Sequence, residues 1–313
     1  MADFPVAAGV TSYGSSSASA FTPTLWSTQW AIKHYGRTFL SEITNTDYDG
    51  EIKQKGDKVM IRVVPDGQVD DYYEGMDISN VPYLASTHIE LTIDKGKLYR
   101  FPVGKVQEKQ MDVDYVSKQM DNGAKLTTQA QERNFLANIY TTAAATNQGL
   151  TAGKQSSGYN LGATGTPIGV GKTDVVDIMQ DCNSVIEEAD VVEDAFIVIP
   201  SWFSNRLGKS DLKNASLTAL TESPSITGRL PKKVAGFTVY VTNRYTAIAD
   251  ASGKSCYPVI FGVKSSLTFA TQMTDMEVRD NPKALGKIII SLVVYGYQNI
   301  NADGLGVLYC YAA

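Results

Sequence analysis

The feature that most limits what this chain can fold into is one long helical stretch. Between Met111 and about Ala145, the residues Val113, Val116, Met120, Ala124, Thr127, Ala130 or Gln131, Phe135, Leu136, Ile139 and Tyr140 fall near i, i+3, i+4 steps. That spacing puts them on one face of an α-helix. Asp112 and Asp114 stand in the first turn, where carboxylates complement the positive end of the helix dipole, and only Gly123 interrupts the run. At 1.5 Å per residue the segment is a rod of about 50 Å. A single helix of that length in a 313-residue chain is a spine around which other elements are arranged.

Strand signals lie on both sides of it. Lys58 to Val64 and His88 to Asp94 are rich in β-branched residues, and the second alternates strictly, as a strand with one buried and one wet face does. Lys97 to Val103 continues after a Lys95-Gly96 turn. Between the first two strands, Pro65 to Ala85 is an excursion of about 20 residues rich in Asp, Gly and Tyr, and such lengths are usually functional or extended from the body. Its carboxylates Asp70, Asp71 and Glu74 lack EF-hand spacing and read as a solvated or partner-facing loop.

Beyond the long helix, Gln148 to Gly171 reads as a loop, and Thr173 is placed to cap a helix over Asp174 to Ala189 with Val175, Ile178, Met179, Cys182, Val185 and Ile186 on its apolar face. Phe196 to Pro200 is expected as a buried strand, Trp202 to Leu207 as a helix, Asp211 to Leu230 as a polar stretch with turns, and Phe237 to Val241 as a strand. Cys256 to Gly262 and Leu267 to Ala270 read as short strands or turns, and Met276 to Arg279 leads into an Asp280-Asn281-Pro282 turn. Ile288 to Tyr297, broken by Gly296, and Leu305 to Tyr311 are strongly apolar strands. The fold class is α+β.

Before Lys33 the only charged residue is Asp3, and Val10 to Thr24 is rich in Ser, Ala and Gly. Such a segment is either a disordered tail or an arm that orders against a neighbouring subunit. Leu25, Trp26, Trp30, Ile32, Phe39, Leu40 and Ile43 then suggest one or two short helices, with the tryptophans as core or interface anchors.

Composition removes most chemistries. Lys plus Arg is 28 against 33 for Asp plus Glu, a net charge of -5 without the basic footprint of a dedicated nucleic-acid binder. Histidine occurs only at His34 and His88, too little for a zinc site or a His-centred triad, and Cys182, Cys256 and Cys310 form no CxxC pair. The longest apolar run, Ile288 to Tyr295, is too short to span a bilayer, and the start MADFPVAAGV has no basic region, so the chain is expected to be neither exported nor embedded in a membrane. Gly169-Val170-Gly171-Lys172-Thr173 suggests a phosphate loop, but the glycine the pattern needs is Thr166 and no apolar strand is expected ahead of it. Ser201 follows a strand without the glycines of a nucleophile elbow. No catalytic residue, cofactor or metal ligand is assigned.

Taken in order, these segments resemble the major capsid proteins of tailed bacteriophages, with the HK97-type fold, and most of all the branch that includes the coat proteins of short-tailed phages. The residues that carry the resemblance are Trp26 and Phe39, the run Asn45-Thr46-Asp47-Tyr48-Asp49-Gly50, Gly56 to Ile61, Leu91 to Lys95 with Phe101, the spine stretch Met111 to Ala145, the Val234-Ala235-Gly236-Phe237 strand, and Leu285-Gly286 through Gly296. The resemblance implies an N-terminal arm over 1-30, an extended hairpin loop over 46-104, a peripheral domain with the spine helix over 105-145 and 259-297, and an axial domain over 146-258 and 298-313. It further implies a structural protein, not an enzyme, that assembles with itself into hexamers and pentamers of an icosahedral shell in the host cytoplasm. Packaged DNA would be enclosed non-specifically, with a portal protein, a separate scaffolding protein and a decoration protein as further partners. Inter-subunit contacts are expected at Phe21, Trp26, Asp70, Asp71, Tyr72, Tyr73 and Glu74. Two other readings share some of these features: an encapsulin-type cellular shell, and a nucleotide-binding enzyme using Gly171-Lys172-Thr173.

Overall fold

The computed structural model describes residues 38–47, 58–65, 67–76, 83, 87–105, 114–191, 193–210 and 233–313. Phe21 and Trp26 of the expected arm, the approach to the hairpin from Tyr48 to Asp57, the helix start at Met111 to Val113, and the polar stretch Asp211 to Leu230 lie outside the described residues.

The alternating segments fold as expected into a hairpin. β1 (Lys58–Val63) pairs antiparallel with β2 (Thr87–Thr92), placing Val59 opposite Leu91 and Ile61 opposite Ile89. Ile61, Leu91 and Ile93 bury that apolar face at the hairpin root against Ala270, with Val59, Val294 and Ile300 packed around them. Lys58, Met60, Arg62, His88 and Glu90 face water on the other side.

β3 (Lys95–Gly104) leaves the hairpin, although its residues were expected to continue it. It becomes one edge of a three-stranded antiparallel sheet ordered β10-β11-β3, in which β10 is Leu267–Asp280 and β11 is Gly286–Asn299. Both of these strands are longer than the sequence suggested. A register shift between Thr271 and Met273 lets β10 run on as a bulged strand. Gly296 does not break β11: a Cβ there would stand 2.3 Å from the Thr92 carbonyl oxygen, so the glycine admits the hairpin root against the sheet.

After the one-turn helix α1 (Leu40–Ile43), the spine forms as α2 (Asp114–Asn138), 25 residues or about 38 Å long. It ends before Ala145 because local side chains claim its last carbonyls. Asn138 Nδ2 donates to Asn134 O at 2.7 Å, the Thr141 and Thr142 hydroxyls donate to Asn138 O and Ile139 O, and Ile139–Thr142 tightens into a 3₁₀ turn.

The remaining strands build a large mixed sheet in the order β4-β12-β9-β5-β7-β6: β4 (Ile168–Val170), β12 (Leu305–Ala312), β9 (Ser255–Val263), β5 (Ala195–Pro200), β7 (Phe237–Thr242) and β6 (Lys233–Val234). A two-residue strand, β8 (Ile248–Ala249), pairs beside β9. All six residues of β5 are buried, as its unbroken apolar run requires of a strand covered on both faces. The whole of β9, which a division at 259 would cut, belongs to this sheet, whereas β11 stays in the three-stranded sheet through Asn299.

One face of the large sheet is covered by α3 (Val175–Glu188) and α4 (Ser201–Lys209), with Val175, Met179, Cys182 and Val185 against Ile197, Phe237, Phe261 and Leu308. Thr173 does not cap α3. Asp174 holds that position, and the Thr173 hydroxyl donates to its Oδ1 at 2.7 Å. On the other face, Phe196, Val198, Ile260, Leu305 and Val307 meet Phe135, Leu136 and Ile139 at the end of the spine, Phe39 and Ile43 of the α1 turn, and Tyr295 and Tyr297 of β11. A single hydrophobic cluster therefore joins the spine and both larger sheets.

Where β5 and β9 diverge, their hydrogen bonding is completed by a side chain. The Tyr245 hydroxyl donates to Val198 O at 2.7 Å and accepts from Ile260 N at 3.2 Å. Burial pushes this phenol well above its ordinary pKa, so it remains a donor.

Candidate assembly surface

The loop beyond the hairpin strands carries large side chains that are exposed to solvent. Past Val63 the chain leaves the ladder, and Val69 is 96 % exposed, Tyr72 83 % and Tyr73 64 %. The loop is held locally, by Gln68 Nε2 donating to Asp70 Oδ1 at 2.7 Å and by Met76 N donating to Tyr73 O at 3.1 Å. Asp70, Asp71 and Glu74 stand exposed among these apolar groups. Five of the expected contact residues are thus contiguous on one exposed loop. Exposed Val64, Val69 and Tyr83 extend the same apolar character. In the sequence Val64 reads as the end of the first strand, and Val69 and Tyr83 carry no signal because single apolar residues in a polar loop have no periodicity.

A second surface emerges only from the sheet register. Leu98, Arg100 and Pro102 of β3 stand opposite Leu292, Ile290 and Ile288 of β11. Leu98 is 54 % exposed and the three β11 residues are half-buried, so this face presents apolar side chains around an arginine. Tyr99, one residue over, points the other way against the spine.

The groups that suggested chemistry are occupied structurally. β4 does precede Gly171, correcting the expectation that no strand would, and it pairs in parallel with β12. Yet Asp174 sits at the start of α3, and a Cβ on Gly171 would meet its Oδ2 at 3.2 Å. A carboxylate there takes the place and the dipole interaction that a phosphate would need. The Ser201 hydroxyl is engaged by Asn243 Oδ1. Cys182, Cys256 and Cys310 are buried free thiols. Burial pushes Cys182 and Cys310 up strongly and Cys256 up to about 11, which keeps them protonated and unreactive near neutral pH. Among the described residues no cluster of His, Cys, Asp or Glu could hold a metal ion, and no helix is long and apolar enough to cross a membrane.

A buried charged pair also lies among the described residues. Glu132 of α2 is fully buried and forms an ion pair with Arg244, itself 7 % exposed, in the loop after β7. Glu132 Oε1 also accepts Phe39 N at 2.9 Å and Leu40 N at 3.5 Å. One carboxylate thereby ties together the spine, the large sheet and the segment leading toward the hairpin. Loss of hydration lowers the Arg244 pKa.

No protein-family profile and no curated protein sequence matches the chain. Solved structures do. A chain from Mycobacterium phage Che8 superposes with a TM-score of 0.71 at 18% identity, covering 92% of this chain and 97% of that one. The capsid structure of the cyanophage P-SCSP1u gives 0.69 at 14% identity over 100% of both chains, and the capsid of a native GTA particle 0.67 at 13% identity over 97% of this chain and 100% of the other. The chain therefore shares its fold, the HK97-type fold, with these chains along nearly its whole length.

Proposed function

We propose that this chain is the major capsid protein of a tailed phage, assembling with copies of itself into the icosahedral head shell that encloses the double-stranded DNA genome. The observation that carries the reading is agreement of fold with phage capsid chains over the full length of both chains. The exposed loop around Tyr72 and Tyr73 and the outer face around Leu98 are the surfaces offered to neighbouring subunits, since apolar groups left open in one copy are what a partner covers. A net charge of -5 suits a wall that contains DNA without gripping it. The same reading carries assembly in the host cytoplasm, a portal, a decoration protein and a separate scaffolding protein.

Electron microscopy of the purified protein, alone and co-expressed with a scaffold, tests this directly. Closed shells, or hexamers and pentamers, are expected. A stable monomer under every condition would overturn the shell reading, and correct empty shells from this chain alone would remove the scaffold.

A further inference from the structure

We infer that Glu132 is a latch: its ionised carboxylate holds residues 38–44 against the spine, and without that charge this stretch, α1 included, releases while the sheets, α2, α3 and α4 stay folded. A charge in this position is a poor choice for stability alone. Stripping water from a carboxylate and a guanidinium costs several kcal/mol, and well-packed apolar residues usually serve as well or better. What a buried ion pair supplies is an all-or-none geometry. The Glu132 carboxylate is satisfied only when Arg244 and the amides of Phe39 and Leu40 converge on it together.

The local architecture gives the released state somewhere to go. The Phe39 position at the start of α1 has no side-chain cap of its own, so Glu132 does that work from another element. A cleft of about 220 Å³ opens beside the carboxylate, lined by Thr38, Ser41, Thr46, Thr128 and Thr271 as well as Leu40 and Phe269. The carboxylate itself is fully shielded while the segment is docked, and the cleft leaves room for water to replace the backbone donors once the segment moves. The far end of the segment is tied separately, by Asn45 N donating to Leu267 O at 2.7 Å and Phe269 N donating to Asn45 O at 3.0 Å. The latch thus controls one end of a connection whose other end is stitched to β10. If the shell reading holds, one sequence gains two settings for the segment that precedes its hairpin, which copies in unlike surroundings need; this consequence rests on that reading.

The test is amide hydrogen exchange on the unassembled chain, so its result is separate from whether shells form. Three proteins are compared: the unaltered chain, Glu132→Gln, and the double variant Glu132→Met with Arg244→Met, which removes both charges and guards against a single variant that cannot fold. The expected result is exchange at least tenfold faster in residues 38–44, with α3 and β5 unchanged. Unaltered exchange in 38–44 in either folded variant overturns the latch. So does an equal rise across 38–44, α3 and β5, or loss of the fold in both variants, because Glu132 would then simply hold the whole structure together.

Discussion

Tyr99 of β3 lies against Gly123 of the spine so closely that a Cβ on the glycine would stand 2.4 Å from the ring's Cδ1 and Cε1. Gly123 is therefore one of the helix's contact points with the sheet, a tight one at β3. In an exposed helix Gly→Ala stabilises by about 1 kcal/mol, but overfilling a packed contact costs about 1–3 kcal/mol. Gly123→Ala is expected to be net destabilising in chemical denaturation. In a Tyr99→Ala background the same change should become stabilising. Failure of the sign to reverse would show that the ring does not impose the glycine.

Tyr245 makes a second prediction. Tyr245→Phe keeps the ring in the cluster but leaves the Val198 carbonyl and the Ile260 amide without their shared partner. The loss should be about 1–3 kcal/mol, with faster exchange at Ile260 N as its local signature. Unchanged exchange there would mean that water replaces the hydroxyl.

Stability should decline in alkali. Burial raises Cys256 from 9.0 to about 11 and Tyr295 from 10.0 to about 12. Both groups are neutral when protonated, and the folded state holds the proton more tightly than the unfolded one. Their contribution is complete below the unfolded values, fades as pH rises above about 9, and is gone past about 12. Denaturation midpoints at pH 7, 9 and 11 should fall in that order, and Cys256→Ala should flatten the first part of the slope. A midpoint constant from pH 7 to 11 would contradict this.

Tyr72→Ala with Tyr73→Ala separates folding from assembly. Both rings are largely exposed, so the monomer's stability should change by no more than about 0.5 kcal/mol. Shell or capsomer yield, read by light scattering, should fall sharply. Full yield from the double variant would remove this loop from the contact surface.

Much of this architecture was legible in the sequence, and its gaps have physical causes. The spine, the hairpin and β5 announce themselves because periodicity and unbroken apolar runs are local signals. Gly296 misled because a glycine required by the approach of Thr92 reads the same as a strand breaker. The spine's end was overestimated because apolar spacing persists through Ile139 and Tyr140, whereas the carbonyl competition by Asn138, Thr141 and Thr142 decides where the helix stops. Of the two surfaces proposed for assembly, the acidic and tyrosine loop stood out by composition, but the face around Leu98 needed the β3–β11 register. Glu132 and Arg244 could not have been paired by any local rule, since nothing in either neighbourhood marks the other.

The position of β12 has a consequence for how the chain comes off the ribosome. The strand Leu305–Ala312 lies between β4 and β9, so the large sheet stays split until those residues have emerged. Until then β9 has an open edge and the Ile260 face of the cluster lacks Leu305 and Val307. Pairings this distant in sequence form late and slowly. Until Leu305–Ala312 is available, the edge of β9 and the apolar face around Ile260 stay uncovered, an open template for unwanted pairing that closes only when β12 docks.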